Sequence, residues 1–162
     1  MISDRLIQEA TGLFEPTRRR GLKLVTAESC TGGLIAARLT DIPGSSKYFL
    51  QGAVTYSNEA KTQVLGVPAD LIATHGAVSP EVAESMARGI KERSGATIGV
   101  GVTGIAGPDG GTTEKPVGLV YIGIADDVGT THRKLILPGD RERIRWLTSQ
   151  AALDLVRRRY LL

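Results

Sequence analysis

The spacing of hydrophobic positions changes repeatedly along this chain, and each change marks a new element. Leu6, Ile7, Ala10, Leu13 and Phe14 recur at helical intervals and predict an amphipathic helix over residues 3–19, kinked or ended by Pro16. A compact apolar run predicts a strand at 22–27, followed by a helix at 32–40 that stops before Pro43-Gly44. Phe49 to Tyr56 reads as a second strand, 58–65 as a short helix closed by Gly66, and 68–74 as another helical turn. Ser79-Pro80-Glu81-Val82 supplies an N-cap serine, a proline at the first helical position and a nearby acid, so a helix opens there and runs to residue 94.

The second half has a different rhythm. Thr97 to Val102 is a glycine-spaced apolar strand, then comes a loop dense in glycine and proline, then a strand from Val117 to Ala125. Asp126-Asp127-Val128-Gly129 reads as a hairpin turn into a strand at 130–137, and a long helix follows at 140–160. Strands alternating with helices, ending in a hairpin, predict a three-layer α/β/α sandwich. Its sheet should be mixed, mostly parallel and of about five strands. No linker, repeat or low-complexity stretch interrupts residues 1–162, which reads as one domain.

Composition narrows the function classes. Hydrophobic residues make up 41% and charged residues 23% of the 162, the balance of a soluble globular chain. No apolar run reaches membrane-spanning length, no signal segment opens the sequence, and a single cysteine offers neither a disulfide framework nor a zinc cluster. The expectation is a cytoplasmic protein without a membrane partner. The net charge of +3 suggests nucleic acid until its placement is considered. Arg18-Arg19-Arg20 and Arg157-Arg158-Arg159 hold six of the 20 basic residues, and removing them leaves 14 against 17 acidic, a net −3. Both triplets fall near predicted helix C-termini, and aromatics are only 4%, so a nucleic-acid partner is not expected.

Candidate chemistry sits where strands end. "TAESCTGG", residues 26–33, follows the first strand and opens a helix, so Ser29 meets free backbone N–H groups and a helix dipole that favour negative charge. That placement suits a nucleophile or a bound anion, with Gly32 and Gly33 allowing close approach; a plain N-cap at Ser29 or Thr31 is the alternative. A nucleophilic serine needs a base. His75, in a helix-ending turn, is one option, whereas His132 lies within a predicted strand. Lys61 is the other: with Asn58 as N-cap it falls in a first helical turn, where dipole and burial both favour the neutral amine. Tyr56 and Lys61 follow a strand as Ser29 does, so parallel neighbouring strands would bring them together.

A third strand end leaves through Gly99 to Gly111, a bare-backbone loop able to offer N–H donors, and it is no Walker motif. On the last helix, Ile144, Leu147, Ala151 and Leu155 are expected as the buried stripe. Arg141 and Arg145 share one flank, suited to a phosphate or carboxylate or simply solvated, while Arg143 points the other way.

"AESCTGG", "VTYSNEAK", "HGAVS", "VTGIAGPDGG", "EKPVG" and "GDRERIR", in this order and spacing, resemble the CinA C-terminal domain family from about residue 5 to the end. Members of that family include nicotinamide mononucleotide amidohydrolases, and its fold is a three-layer α/β/α sandwich with a mixed sheet. The resemblance is to the stand-alone form, without the additional N-terminal domain of two-domain relatives. It implies hydrolysis of the carboxamide of nicotinamide mononucleotide to nicotinate mononucleotide and ammonia, without metal or cofactor. By motif, Ser29 is the nucleophile, Lys61 its base, and Tyr56 part of the proton network. Cys30, Thr31, Gly32, Gly33, Thr103 and Gly104 would provide oxyanion or substrate contacts, and Arg141 and Arg145 would hold the phosphate. The expected partners are a small nucleotide substrate and a second copy of the chain in a homodimer. A serine amidase for another small amide, a non-catalytic nucleotide-binding module, and a partner in DNA uptake or recombination are the competing readings.

Overall fold

Strand β1, Leu24–Glu28, is buried at every position, so both of its faces must be covered and it belongs inside a sheet. The computed structural model, which describes residues 19–160 together with Gly12, Pro16 and Thr17, places it there. β2 (Phe49–Val54) and β3 (Ile98–Gly104) flank β1, both parallel to it. β4 (Leu119–Ala125) and β5 (Thr130–Ile136) follow through antiparallel pairings, giving the order β2-β1-β3-β4-β5. Only β4 runs against the other four strands, so the sheet is mixed and mostly parallel, as the pattern of elements predicts. Of the helix expected over residues 3–19, all but Gly12, Pro16, Thr17 and Arg19 lies outside the described residues.

Helices α1 (Leu34–Thr40), α2 (Asn58–Leu65), α3 (Ala69–His75), α4 (Pro80–Ser94) and α5 (Arg141–Tyr160) cover both faces. The alternation of β1 decides which side chains go where. Leu24 joins Ile98, Val100 and Val102 under α1 and α5, against Ile35, Leu39, Ile144 and Leu153. Val25 and Ala27 point the other way, under Leu65 of α2, Ile72 of α3 and Val82, Met86 and Ile90 of α4. Each such aliphatic side chain contributes roughly 1.5–3 kcal/mol relative to exposure. Among the described residues no helix is long and apolar enough to cross a membrane.

Gly99 and Gly101 fall in β3, within the strand expected from Thr97 to Val102; a Cβ on either, or on Gly123, would run into the carbonyl oxygen of Ala87 or Ala83, so these glycines seat the α4 backbone directly on the sheet. Two local expectations change. The N-cap of α2 is Ser57, whose hydroxyl accepts from the Ala60 N–H at 3.0 Å, and Asn58 is the first helical residue. On α5 the fully buried positions are Ile144, Thr148, Ser149, Ala152, Leu153 and Val156, whereas Leu147, Ala151 and Leu155 are half-buried. The stripe rotates because Thr148 and Ser149 donate their hydroxyls to Ile144 O and Arg145 O, which lets two small polar residues go inside.

Candidate active site

Three parallel strands deliver their C-terminal ends to one edge. From β1 the chain passes through α1 to β2 on one side, then returns through α2, α3 and α4 to β3 on the other. The connections diverge between β1 and β3, which opens a crevice at their ends. The Ser29 N–H donates to Val102 O at 3.0 Å and fastens the turn after β1 to β3.

Ser29 and Lys61, 32 positions apart, meet in that crevice. Lys61 Nζ lies 2.9 Å from Ser29 Oγ and donates to the carbonyls of Thr55 at 2.8 Å and Tyr56 at 3.1 Å. Lys61 is 1% exposed and Ser29 8%. Burial is the main influence on the lysine, and it lowers its pKa from the ordinary value, because the charged form gives up its hydration.

The start of α1 holds its own anion. Glu28, 1% exposed at the end of β1, accepts from the Thr31 hydroxyl at 2.6 Å, from Ile35 N–H at 3.0 Å and from Ala36 N–H at 3.1 Å. The helix end that was expected to hold the nucleophile or a bound anion through its free N–H groups is thus neutralised from within. Neither Ser29 nor Thr31 caps it; the N-cap residue is Gly33, with no side-chain bond.

A pocket of about 290 Å³ surrounds Ser29 and Lys61, lined also by Cys30, Tyr56, Thr103, Gly104, Asp109 and Arg141. Arg141 crosses its mouth, donating to Gly107 O at 2.8 Å and to the Tyr56 hydroxyl at 3.0 Å. Thr103 is 1% exposed and spends its proton on Ala77 O at 2.8 Å. Cys30 is buried and its thiol is pushed up to about 11, chiefly by desolvation. Gly104 fits against it: a Cβ there would stand 3.2 Å from Cys30 Sγ.

Other expected residues lie apart. Thr31, Gly32, Gly33 and Arg145 do not line the pocket. Arg145 instead donates to Cys30 O and Thr31 O at 3.0 and 3.1 Å and shares a second concavity, of about 720 Å³, with Arg143 and Trp146. The expected pairing of Arg141 with Arg145 against Arg143 therefore does not hold, because an arginine's reach outweighs its helical angle. His75 is outside the pocket, with Nδ1 3.6 Å from Glu81, and His132 Nδ1 lies 2.7 Å from Glu84 across β5 and α4. Among the described residues no three of His, Cys, Asp and Glu gather as a metal site requires. Sequence reasoning missed Glu28 and the Thr55 carbonyl. An acid ending a buried strand just before a helix was the available signal for Glu28, whereas nothing in a sequence announces a backbone carbonyl.

A sequence model described as the CinA C-terminal domain matches residues 8–160. A CinA-like protein of Citrifermentans bemidjiense is 59% identical over 145 residues, covering 90% of this chain and 35% of that protein. A putative competence-damage inducible protein of Moorella thermoacetica is 54% identical over 153 residues, 94% of this chain and 36% of that one. The chain thus spans about a third of the length of the curated relatives it matches. Among solved structures, the competence/damage inducible protein CihA from Agrobacterium tumefaciens superposes with a TM-score of 0.93 at 42% identity, covering 96% of both chains. The competence damage-inducible protein A (ComA) from Klebsiella pneumoniae gives 0.90 at 34% identity, covering 93% of this chain and 94% of that one.

Proposed function

The chain belongs to the CinA C-terminal domain family, and from that premise we propose that it hydrolyses the carboxamide of nicotinamide mononucleotide to nicotinate mononucleotide and ammonia. The observation that carries the reading is the contact of Ser29 Oγ with a buried lysine whose other two bonds go to backbone carbonyls. Carbonyls only accept, so they hold two N–H bonds of Nζ in place. In the neutral amine the remaining position is the lone pair, and it faces the serine hydroxyl. Lys61 is oriented as a base.

The chemistry then runs in balanced steps. Ser29 Oγ attacks the carboxamide carbon while its proton passes to Lys61 Nζ. The tetrahedral intermediate collapses as Lys61 returns that proton to the leaving nitrogen, and ammonia departs from an ester on Ser29. Water attacks the ester with Lys61 again taking a proton, which finally goes back to Ser29. No step calls on a metal or cofactor. Arg141 has donors left beyond those on Gly107 O and Tyr56 and lines the same pocket, which suits it to the phosphate. Holding a group remote from the reacting carbon orients the substrate without entering the bond chemistry.

The test is direct. Incubation with nicotinamide mononucleotide should release ammonia and nicotinate mononucleotide in equal amounts, and Ser29→Ala should release neither while binding the substrate. Failure of the unaltered chain to release ammonia would remove the amidohydrolase reading.

A further inference from the structure

Among the described residues that line the Ser29 pocket, Asp109 carries the only carboxylate and Arg141 the only guanidinium. Arg141 is engaged with Gly107 O and the Tyr56 hydroxyl, whereas the Asp109 carboxylate makes no hydrogen bond or ion pair among the described residues. We infer that Asp109 is a specificity-determining residue: its carboxylate meets the positive ring of an N-substituted pyridinium, so the pocket selects cationic carboxamides over neutral ones. The inference rests on the amidohydrolase reading above.

The loop that carries Asp109 is fixed where it passes the pocket. Ile105 N–H donates to Leu119 O at 2.9 Å, Gly118 N–H to Ile105 O at 2.8 Å and Thr112 N–H to Lys115 O at 2.7 Å. Gly107 and Gly111 let the loop lie against Val117: a Cβ would stand 2.6 Å from Val117 Cγ1 at the first and 2.8 Å from Val117 N at the second. Asp109 lies midway between these glycines, and Arg141 holds the Gly107 carbonyl at 2.8 Å. The carboxylate is therefore placed by backbone contacts and keeps its own acceptors free. A free anion in a binding pocket suits a ligand that brings positive charge.

Nicotinamide mononucleotide brings it. Its ring nitrogen, bonded to ribose, is a cation that lies covalently between the carboxamide and the phosphate. A pose that gives the carboxamide carbon to Ser29 and the phosphate to Arg141 therefore keeps the ring inside the pocket. In about 290 Å³ that charge lies within a Debye length of Asp109, roughly 8 Å at physiological salt. Arg141 repels the ring, and Asp109 is the lining residue of opposite charge that offsets it. Free nicotinamide has no ring charge and gains nothing from the carboxylate. The charge pair of the pocket thus discriminates in a way that an apolar contact to the ring would not.

The experiment measures Kd by calorimetry in the Ser29→Ala protein, for nicotinamide mononucleotide and for its 1,4-dihydro form, which keeps the ribose and phosphate but has an uncharged ring. Asp109→Asn should weaken binding of the cationic form about threefold to tenfold and leave the dihydro form within about twofold, because an exposed, screened charge is lost while shape is kept. The difference should shrink in about 1 M salt. Glu114→Gln neutralises an exposed carboxylate of the same loop that does not line the pocket, and it should change neither. Equal weakening of the two forms overturns the proposal, because it assigns Asp109 to a ribose hydroxyl. Unchanged binding of the cationic form, or no binding of either, overturns it too. Ammonia release by the unaltered protein tests hydrolysis separately. Release together with an indifferent Asp109→Asn sinks this inference and spares the amidohydrolase reading; charge-selective binding without release does the reverse.

Discussion

Lys61 Nζ lies 2.9 Å from Ser29 Oγ, at the bottom of a crevice where the lysine is 1% exposed. Among the described residues no carboxylate pairs with it, and its remaining bonds go to the carbonyls of Thr55 and Tyr56. A cation there has dipoles for company but no counter-charge. Burial therefore prevails over the hydrogen bonds, and the pKa moves down.

The pH dependence follows from that direction. Lys61 acts as a base only when neutral, and a lowered pKa raises the neutral fraction at any pH below the ordinary lysine range. Hydrolysis should be weakest in acid, climb as pH passes through the depressed pKa, and level off above it. Lys61→Arg should lower kcat at least a hundredfold, because a guanidinium keeps its proton. A pH–rate profile of both proteins checks this; a fully active Lys61→Arg would take the lysine out of the chemistry.

Cys30 adjoins Ser29 and lines the same pocket, yet its thiol is pushed up to about 11. At neutral pH nearly all of it is protonated, and the thiolate is the reactive form. Cys30→Ala should keep kcat within about threefold, the cost of a small cavity and not of lost chemistry. Iodoacetamide at pH 7 should leave activity unchanged over an hour, as measured by ammonia release.

Arg141 lines the Ser29 pocket, and it also braces Tyr56 and Gly107. Charge-assisted hydrogen bonds contribute roughly 1.5–3 kcal/mol. Arg141→Ala should lower kcat/KM for nicotinamide mononucleotide by about tenfold to a hundredfold and change it far less for the riboside. Equal losses on the two substrates would show that the brace, and not phosphate binding, is what the arginine supplies.

Glu28 anchors the start of α1 through three donors while being 1% exposed. Glu28→Ala leaves the Thr31 hydroxyl and the N–H groups of Ile35 and Ala36 without a buried acceptor and should cost at least about 1.5–3 kcal/mol of stability. Glu28→Gln retains one acceptor oxygen and should lose less. Denaturant titration ranks the three proteins, and an unchanged midpoint for Glu28→Ala would remove the capping role.

Much of the fold was legible because it depends on local rules. Ser79-Pro80 opens α4 with the Ser79 hydroxyl accepting from Val82 N–H, and Asp126 closes the β4–β5 hairpin onto Val128 and Gly129, both short-range events that residue type dictates. The buried stripe of α5 departs from its hydrophobic pattern for a related reason. Thr148 and Ser149 look polar until their hydroxyls are seen satisfied one turn back, and hydrophobic periodicity does not register that.

The sequence by itself determined that strands and helices alternate, that the last strands form a hairpin, and that Ser29, Tyr56 and Lys61 each follow a strand. Those are consequences of side-chain period and backbone propensity, which act over a few residues. Only the tertiary structure decided that β1 lies between β2 and β3, and so that Lys61 meets Ser29. It alone put Glu28 on the end of α1, Arg141 over the pocket and Arg145 on the turn after β1. The physical reason is range: a hydrogen bond or a desolvation penalty depends on distances between groups far apart in the chain, and strand order sets those distances.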